Sequence, residues 1–369
     1  MFFDNKKMQD NMKYKIITIH CIPNFGSILQ TYALAKFLKV CGKEVEIIDY
    51  RPFYYFKGRN ILRKLYPIVF YPISYFKQKN KVDNFCAKNI NVSSIKYEKL
   101  IDLKNISSGD DVFISGGDQL WNSFHPCGND DAYKLVFVDT KKKLAYGTSM
   151  GRTSFTASEL EEISQKVKDF YSIGLREQST VPMLQKHTNV PVKHVADPVL
   201  LLDKKDYMEF VGSERMIKEP YMLVYMVAKS DLLNETVEKI SRERNLKIVH
   251  VSGFGKKCKY DYKLTTGPEE LLNLIYYAEF VLSASFHATL FSVLFNKQFC
   301  TLLPEAGTNV RIEDILSYLH LEDRIIHSKD ELMQLDAFIE YEKVNKIREK
   351  FAKESRDYLI DTIKKVENL

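Results

Sequence analysis

The sequence predicts an α/β protein built from two Rossmann-like, parallel-sheet units facing across a cleft. Three observations lead there. The chain has 369 residues, more than one hydrophobic core usually organises. β-like and helical segments alternate nearly to its end. Finally, the stretch Ala284 to Leu290 sets His287 between an apolar run that reads as a buried strand, 280–282, and one that reads as a helix, 288–295. Such a strand-to-helix junction directs backbone N–H groups and the positive end of a helix dipole into the crevice. A histidine there either binds an anion as a cation or passes a proton near neutral pH. A helix-capping or core histidine is the plain alternative.

The elements follow in order. Lys15 to His20 has a buried-strand pattern, Ser27 to Val40 reads as a mostly apolar helix and Glu44 to Tyr50 as the next strand. Strand, helix and strand in succession imply a parallel pair with a right-handed crossover. After a basic insertion at 51–82, Asp111 to Ser115 and Lys143 to Met150 read as strands, Ala157 to Asp169 as a helix, Phe170 to Leu175 as a strand and Glu177 to Lys186 as a helix. A second unit is expected to begin in the polar stretch Asp203 to Pro220. Its expected strands are Tyr221 to Val227, Lys247 to Ser252, the run ending at Ser283, Phe299 to Leu303 and Arg324 to Ile326. Helices are expected from Ser230 to Arg244, Glu269 to Ala278 and Asn309 to Leu319. The last helix, Tyr341 to Val366, carries Val344, Ile347, Phe351, Tyr358 and Ile363 at a spacing that buries one stripe. The predicted division is a first domain over 1–202, a second over 203–340, and a C-terminal helix over 341–369 packing back on the first.

Composition removes several classes of function. Hydrophobic residues make up 45% and aromatics 12%, enough for packed cores and contrary to disorder. The six cysteines are scattered, with no CxxC pair and no Cys/His ligand spacing, which fits a reduced cytosolic chain and predicts no metal site. The first residues are polar and mixed in charge, unlike a secretory signal. No run approaches the ~20 apolar residues of a spanning helix. Net charge is +6, and its distribution says more than its sum: 51–82 contains no acidic residue, while Arg51, Lys57, Arg59, Arg63, Lys64, Lys77, Lys79 and Lys81 are basic and nine aromatics are interleaved. Pro67 and Pro72 interrupt the apolar run Leu65 to Phe76. This segment either packs on its domain through its aromatics or rests on an anionic membrane, where each Lys or Arg contributes about 1 kcal/mol. The rest of the chain offers no matching basic face, so nucleic acid is not an expected partner.

Several loops at predicted strand ends carry candidate site residues. Asn24-Phe25-Gly26-Ser27 lies between the first strand and the first helix, with Gly26 permitting close backbone approach and Ser27 suited to cap the helix. Gln30, one turn further, is placed to hydrogen-bond a ligand. Gly116-Gly117-Asp118-Gln119 follows a strand, and Asp118 is a carboxylate suited to take a proton; a turn cap is its other reading. Trp121, the single tryptophan, offers a flat apolar face for stacking or, equally, fills a core. Asp197, before Pro198, is expected to shape a turn rather than perform chemistry. Arg176 ends a strand beside Glu177, and without further information the two read as a surface pair.

The blocks NFGSILQTYAL (Asn24 to Leu34), ISGGDQLWN (Ile114 to Asn122), IGLREQST (Ile173 to Thr180), ADPVLLL (Ala196 to Leu202) and SFHATLFSVLF (Ser285 to Phe295) occur in an order that resembles the polysaccharide pyruvyltransferase family. That resemblance implies a glycosyltransferase-B-like fold and transfer of a group from phosphoenolpyruvate to a sugar diol as a cyclic ketal. It also implies membership of the capsule and exopolysaccharide subset, with a galactose-like or lipid-linked acceptor. Phosphoenolpyruvate serves as co-substrate, and no cofactor or metal is expected. Arg176 matches the family's donor-contacting arginine and His287 its histidine, which implies donor binding and general acid/base work. Many members carry Arg-Leu-His where this chain has Ser285-Phe286-His287, so the donor loop lacks one cation, and Arg311 either replaces it or is a helix-surface arginine. On this reading Ser285, Phe286, His287, Arg311 and Arg176 bind the donor, His287 and Asp118 are catalytic, and Asn24, Gly26, Gln30, Gly117 and Trp121 hold the acceptor. The expected location is cytoplasmic, with association at the inner face of the cytoplasmic membrane left open. Two other readings stay open: a nucleotide-sugar glycosyltransferase of the same fold, and a non-catalytic binding protein of envelope glycan assembly.

Overall fold

The structure is a computed structural model that describes residues 12–20, 22–55, 68–106, 109–225, 229–251, 258–303 and 309–369. The chain divides into two compact units, Met1–Arg59 with Asn89–Leu201 and Lys350–Leu369, and Asn60–Lys88 with Leu202–Glu349. Residues 68–88, expected in the first domain, thus group with the second unit. Lys57, Arg59, Arg63, Lys64 and Pro67 of the basic insertion lie outside the described residues.

The first unit holds a seven-stranded sheet in the order β3-β2-β1-β4-β5-β6-β7. Its strands are β1 (Lys13–Ile17), β2 (Glu44–Tyr50), β3 (Val92–Tyr97), β4 (Val112–Ser115), β5 (Lys143–Thr148), β6 (Ser172–Leu175) and β7 (Val192–His194), all paired in parallel. The central strands are buried along nearly their whole length, as β4 and β5 are at every position. Parallel sheets need cover on both faces, which is why these strands read as continuous apolar runs. The crossover helix α1 (Phe25–Val40) joins β1 to β2, and thirteen of its residues are buried. Ile17, Phe113, Ala145 and Ile173 from adjacent strands meet in one core cluster.

The second unit repeats the plan with six strands in the order β10-β9-β8-β11-β12-β13. They are β8 (Tyr221–Tyr225), β9 (Lys247–Val251), β10 (Tyr262–Leu264), β11 (Phe280–Ser283), β12 (Gln298–Leu302) and β13 (Ile325–Ile326), again all parallel. Among its helices are α2 (Pro72–Asn89), α4 (Asp231–Arg244), α5 (Pro268–Tyr277), α6 (Phe286–Leu294) and α7 (Val310–Tyr318), while α3 (Ala157–Val167) belongs to the first unit. Leu233, Val237 and Ile240 of α4 bury one stripe against Met222, Val224 and Leu282, the i, i+4, i+7 spacing of an amphipathic helix. The final helix α8 (Tyr341–Glu367) starts in the second unit and ends in the first. There Ser355 accepts from the Ala196 N–H at 2.9 Å, Tyr358 meets Ser172 at 2.5 Å and Glu367 accepts from Tyr14 at 2.5 Å.

In both sheets the strand order reverses beside the first strand of the unit, between β1 and β4 and between β8 and β11. The crevice outside the carboxyl ends of such a switch point is where open α/β sheets bind ligands. The loops that follow these strands are therefore the places to look for chemistry.

Candidate functional site

At the first switch point the loop after β1 feeds α1. Asn24 is the N-cap: its Oδ1 accepts from the Gly26 N–H at 3.1 Å and the Ser27 N–H at 3.4 Å. Ser27, expected as the cap, sits inside the first turn instead, and this offset frees its hydroxyl to donate to Asp118 Oδ2. Asp118 follows β4, where its Oδ1 accepts from the Gln119 N–H at 2.8 Å. Gly117 lets the Gln30 side chain approach closely, since a Cβ there would lie 2.4 Å from Gln30 Oε1 and force that side chain to shift.

Arg176 stands at the end of β6 with its side chain 2% exposed, 2.5 Å from Asp197 and 3.6 Å from Asp118. Burial opposes its charge, but Asp197, Asp118 and Glu177 outweigh that and raise its pKa. Asp197 also accepts from the Val199 N–H at 2.9 Å. Glu177 is fully buried and accepts from the Ser149 hydroxyl and from the Met150 N–H at 3.3 Å. Neither Arg176 nor Glu177 is a surface residue.

Three acceptor or donor expectations need correction here. Arg176 does not present its guanidinium to solvent for a donor, because two carboxylates engage it inside the unit. Gln30 is 0% exposed, and its amide N–H group donates to Thr18, Thr31 and the Ser27 carbonyl; it braces the loop and cannot reach a sugar. Trp121 is 1% exposed, donates to the Tyr133 carbonyl at 3.1 Å and packs edge-on to Phe170. It fills the core and offers no stacking face. Asn24 is exposed and Gly26 is buried in the first turn of α1.

At the second switch point Ser285 caps α6, its Oγ accepting from the Ala288 N–H at 3.4 Å. His287 lies in the first turn, 7% exposed, with its ring edge-on to Phe286 at 5.1 Å. Arg311, in the first turn of α7, holds its guanidinium 5.2 Å from the centre of the Phe286 ring, a cation–π distance. Asn309 donates to the Ala284 carbonyl at 3.5 Å. Arg311 is thus tied to the histidine loop through Phe286 rather than spread on the helix surface. Ser285, Phe286, His287 and Arg311 gather at one sheet end, as do Ser27, Asp118, Arg176 and Asp197 at the other, in different units.

Sequence reasoning missed Ser27, and it gave Asp197 only a turn-shaping part. The one available signal was their place in the loop and first helical turn that follow a strand. A cavity of about 670 Å³ lined by Tyr14, Lys43, Glu44 and Glu367 lies at the amino-terminal ends of β1 and β2, the end of a parallel sheet that ligands rarely use. No group of three or more His, Cys, Asp or Glu side chains suited to a metal occurs among the described residues.

The fold resembles several solved structures. Trehalose-6-phosphate synthase OtsA matches at a TM-score of 0.54 and 9% identity, covering 95% of this chain and 99% of that one. UGT89C1 of Arabidopsis thaliana, complexed with UDP-L-rhamnose, matches at 0.53 and 9%, covering 95% and 99%. UDP-GlcNAc 2-epimerase from Methanocaldococcus jannaschii matches at 0.50 and 13%, covering 89% and 93%. Identities this low establish a shared glycosyltransferase-B-like architecture and nothing about substrate. No curated protein sequence matches the chain. The sequence profile of polysaccharide pyruvyl transferase, however, matches residues 24–304, a span that includes both switch-point loops. The chain therefore belongs to the polysaccharide pyruvyl transferase family, whose members are transferases acting on polysaccharide.

Proposed function

We propose that the protein transfers the enolpyruvyl-derived group of phosphoenolpyruvate to a diol on a galactose-like residue of a capsular or exopolysaccharide repeat, forming a cyclic ketal. The observation that carries this reading is the different make-up of the two switch points. At the first, Asp118, Asp197 and Glu177 surround Arg176, so carboxylates outnumber the cation there. A phosphate-bearing donor is repelled there, whereas a neutral sugar hydroxyl finds an acceptor in Asp118. The second combines a helix N-terminus, His287 and Arg311, a set suited to a phosphate and a carboxylate.

The division of labour follows from the chemistry. The first acceptor hydroxyl gives its proton to Asp118 as its oxygen bonds to C2 of the donor, and His287 delivers a proton to the methylene carbon, making it a methyl group. The second hydroxyl then bonds to C2 as the C2–O bond to phosphate breaks. Of the two hydroxyl protons, one replaces that given to carbon and the other leaves with phosphate. Asp118 is oriented by Arg176 at 3.6 Å and by two hydrogen-bond donors, the Ser27 hydroxyl and the Gln119 N–H. It takes the proton as the forming C–O bond makes the hydroxyl acidic. Arg176 touches both Asp118 and Asp197, so its part is to position Asp118.

The test incubates the protein with phosphoenolpyruvate and a panel of β-galactosides and follows phosphate release together with an acid-labile mass gain on the sugar. Both signals are expected in equal amounts. Transfer from a nucleotide sugar, with none from phosphoenolpyruvate, sinks the proposal.

A further inference from the structure

One motif of the sequence has no part in the transfer reaction: the acid-free aromatic segment that leads into α2. The helix is fixed to its unit along one side only. Val82 and Phe85 are buried, Phe85 packs edge-on to Phe210 at 5.2 Å, and Lys81 reaches Glu270 at 2.5 Å and the Thr265 carbonyl at 3.1 Å. Phe76 lies nine positions before Phe85, which is about 180° around a helix. Its side is turned outward: Phe76 is 51% and Ile73 84% exposed, and Val69, in the short helical stretch just before, is 65% exposed. Lys77 and Lys79 fall on opposite sides of this apolar stripe, both exposed.

We propose that the start of α2 is a docking face for an anionic lipid surface. An apolar stripe bordered by lysines suits a helix lying in a membrane interface, where the lysine stems follow the apolar surface and the charged ends reach lipid phosphates. Anionic headgroups complement the exposed Lys77 and Lys79 that border the stripe, although Lys79 also pairs with Asp83 one turn further on. A second copy of the chain is a poorer occupant, because a two-fold contact through this stripe brings two lysine-bordered stripes together. No described helix is long and apolar enough to cross a membrane, so the contact is peripheral. This inference does not rest on the identity of the donor.

Flotation of the full chain with phosphatidylcholine vesicles, with and without phosphatidylglycerol, tests it. Recovery with the anionic vesicles alone, falling as salt is raised, is expected. The double variant I73D/F76D is expected to lose at least tenfold in bound fraction while its melting temperature and its turnover of a soluble acceptor stay unchanged. The charge variant K77E/K79E, which leaves the apolar stripe in place, is expected to lose binding as well and serves if the first fails to fold. Equal recovery with both vesicle types, or flotation of both variants like the parent, overturns the proposal. A dimer in light scattering that I73D/F76D dissociates, without vesicle binding by the parent, assigns the face to a second copy and overturns it too.

Discussion

The carboxyl ends of the two sheets occupy equivalent places in equivalent topologies, yet they hold their arginines in different ways. At the first, two aspartates and an arginine are closed on one another with side-chain exposures below a tenth. At the second, Arg311 rests on an aromatic ring, and His287 lies in the first turn of a helix. The difference teaches that a strand-end arginine is not by itself an anion site. What matters is the charge left over after its neighbours are counted.

The largest test of this contrast is His287→Asn. It is expected to lower kcat by about 10²–10⁴-fold, the usual worth of a positioned acid or base, with the melting temperature unchanged. If turnover persists, the second switch point is not the donor end. Next comes Arg176→Ala, expected to destabilise the first unit by about 3–5 kcal/mol because it leaves buried carboxylates without their cation. Chemical denaturation measures this. A variant that stays as stable but shows a higher KM for phosphoenolpyruvate would return Arg176 to direct donor contact.

Asp118→Asn comes third, with kcat lowered about 10²-fold and KM for the donor unchanged; a change confined to donor KM would erase the division between the two ends. Arg311→Ala should be milder. Loss of one exposed-edge cation and its ring contact is worth about 1 kcal/mol, or a several-fold rise in donor KM read from initial rates. The smallest effect concerns pH. The Asp49 carboxyl is held below the usual aspartate range, since burial alone would raise its pKa but hydrogen bonds from His20 and Arg51 prevail. A depressed carboxyl contributes stability that is complete above its unfolded pKa and is lost as pH falls through the folded one. Asp49→Asn should therefore flatten the acid limb of a melting-temperature profile below about pH 4, while leaving the neutral region little altered. An unchanged limb would mean the pair does not couple to folding.

How much of this was legible in the sequence depended on burial. β2 and β11 and the start of α8 fall where the apolar runs place them, and most other central elements fall within a few residues. β3, β7 and β10 were not anticipated. All three are edge strands with at most partial burial, so backbone pairing forms them and no apolar pattern announces them. Helix α2 escaped because its lysines and aromatics read as an insertion, and its two buried residues, Val82 and Phe85, are too few to set a period. Within the site, residue type and position after a strand found Asp118 and His287. The inward turn of Gln30 and Trp121 and the pairing of Arg176 depend on neighbours more than twenty residues away or on loop register, which local sequence does not encode.

Asp118 has one further property with a consequence for engineering. Its φ is +82°, a region that residues with a side chain occupy at a penalty of about 1–3 kcal/mol and that glycine or asparagine enters more readily. Glycine would relieve the strain but lose the Ser27 hydrogen bond and the Arg176 contact, so a library screened for heat tolerance alone should drift toward asparagine at this position, and those survivors should be the ones that have stopped modifying sugars.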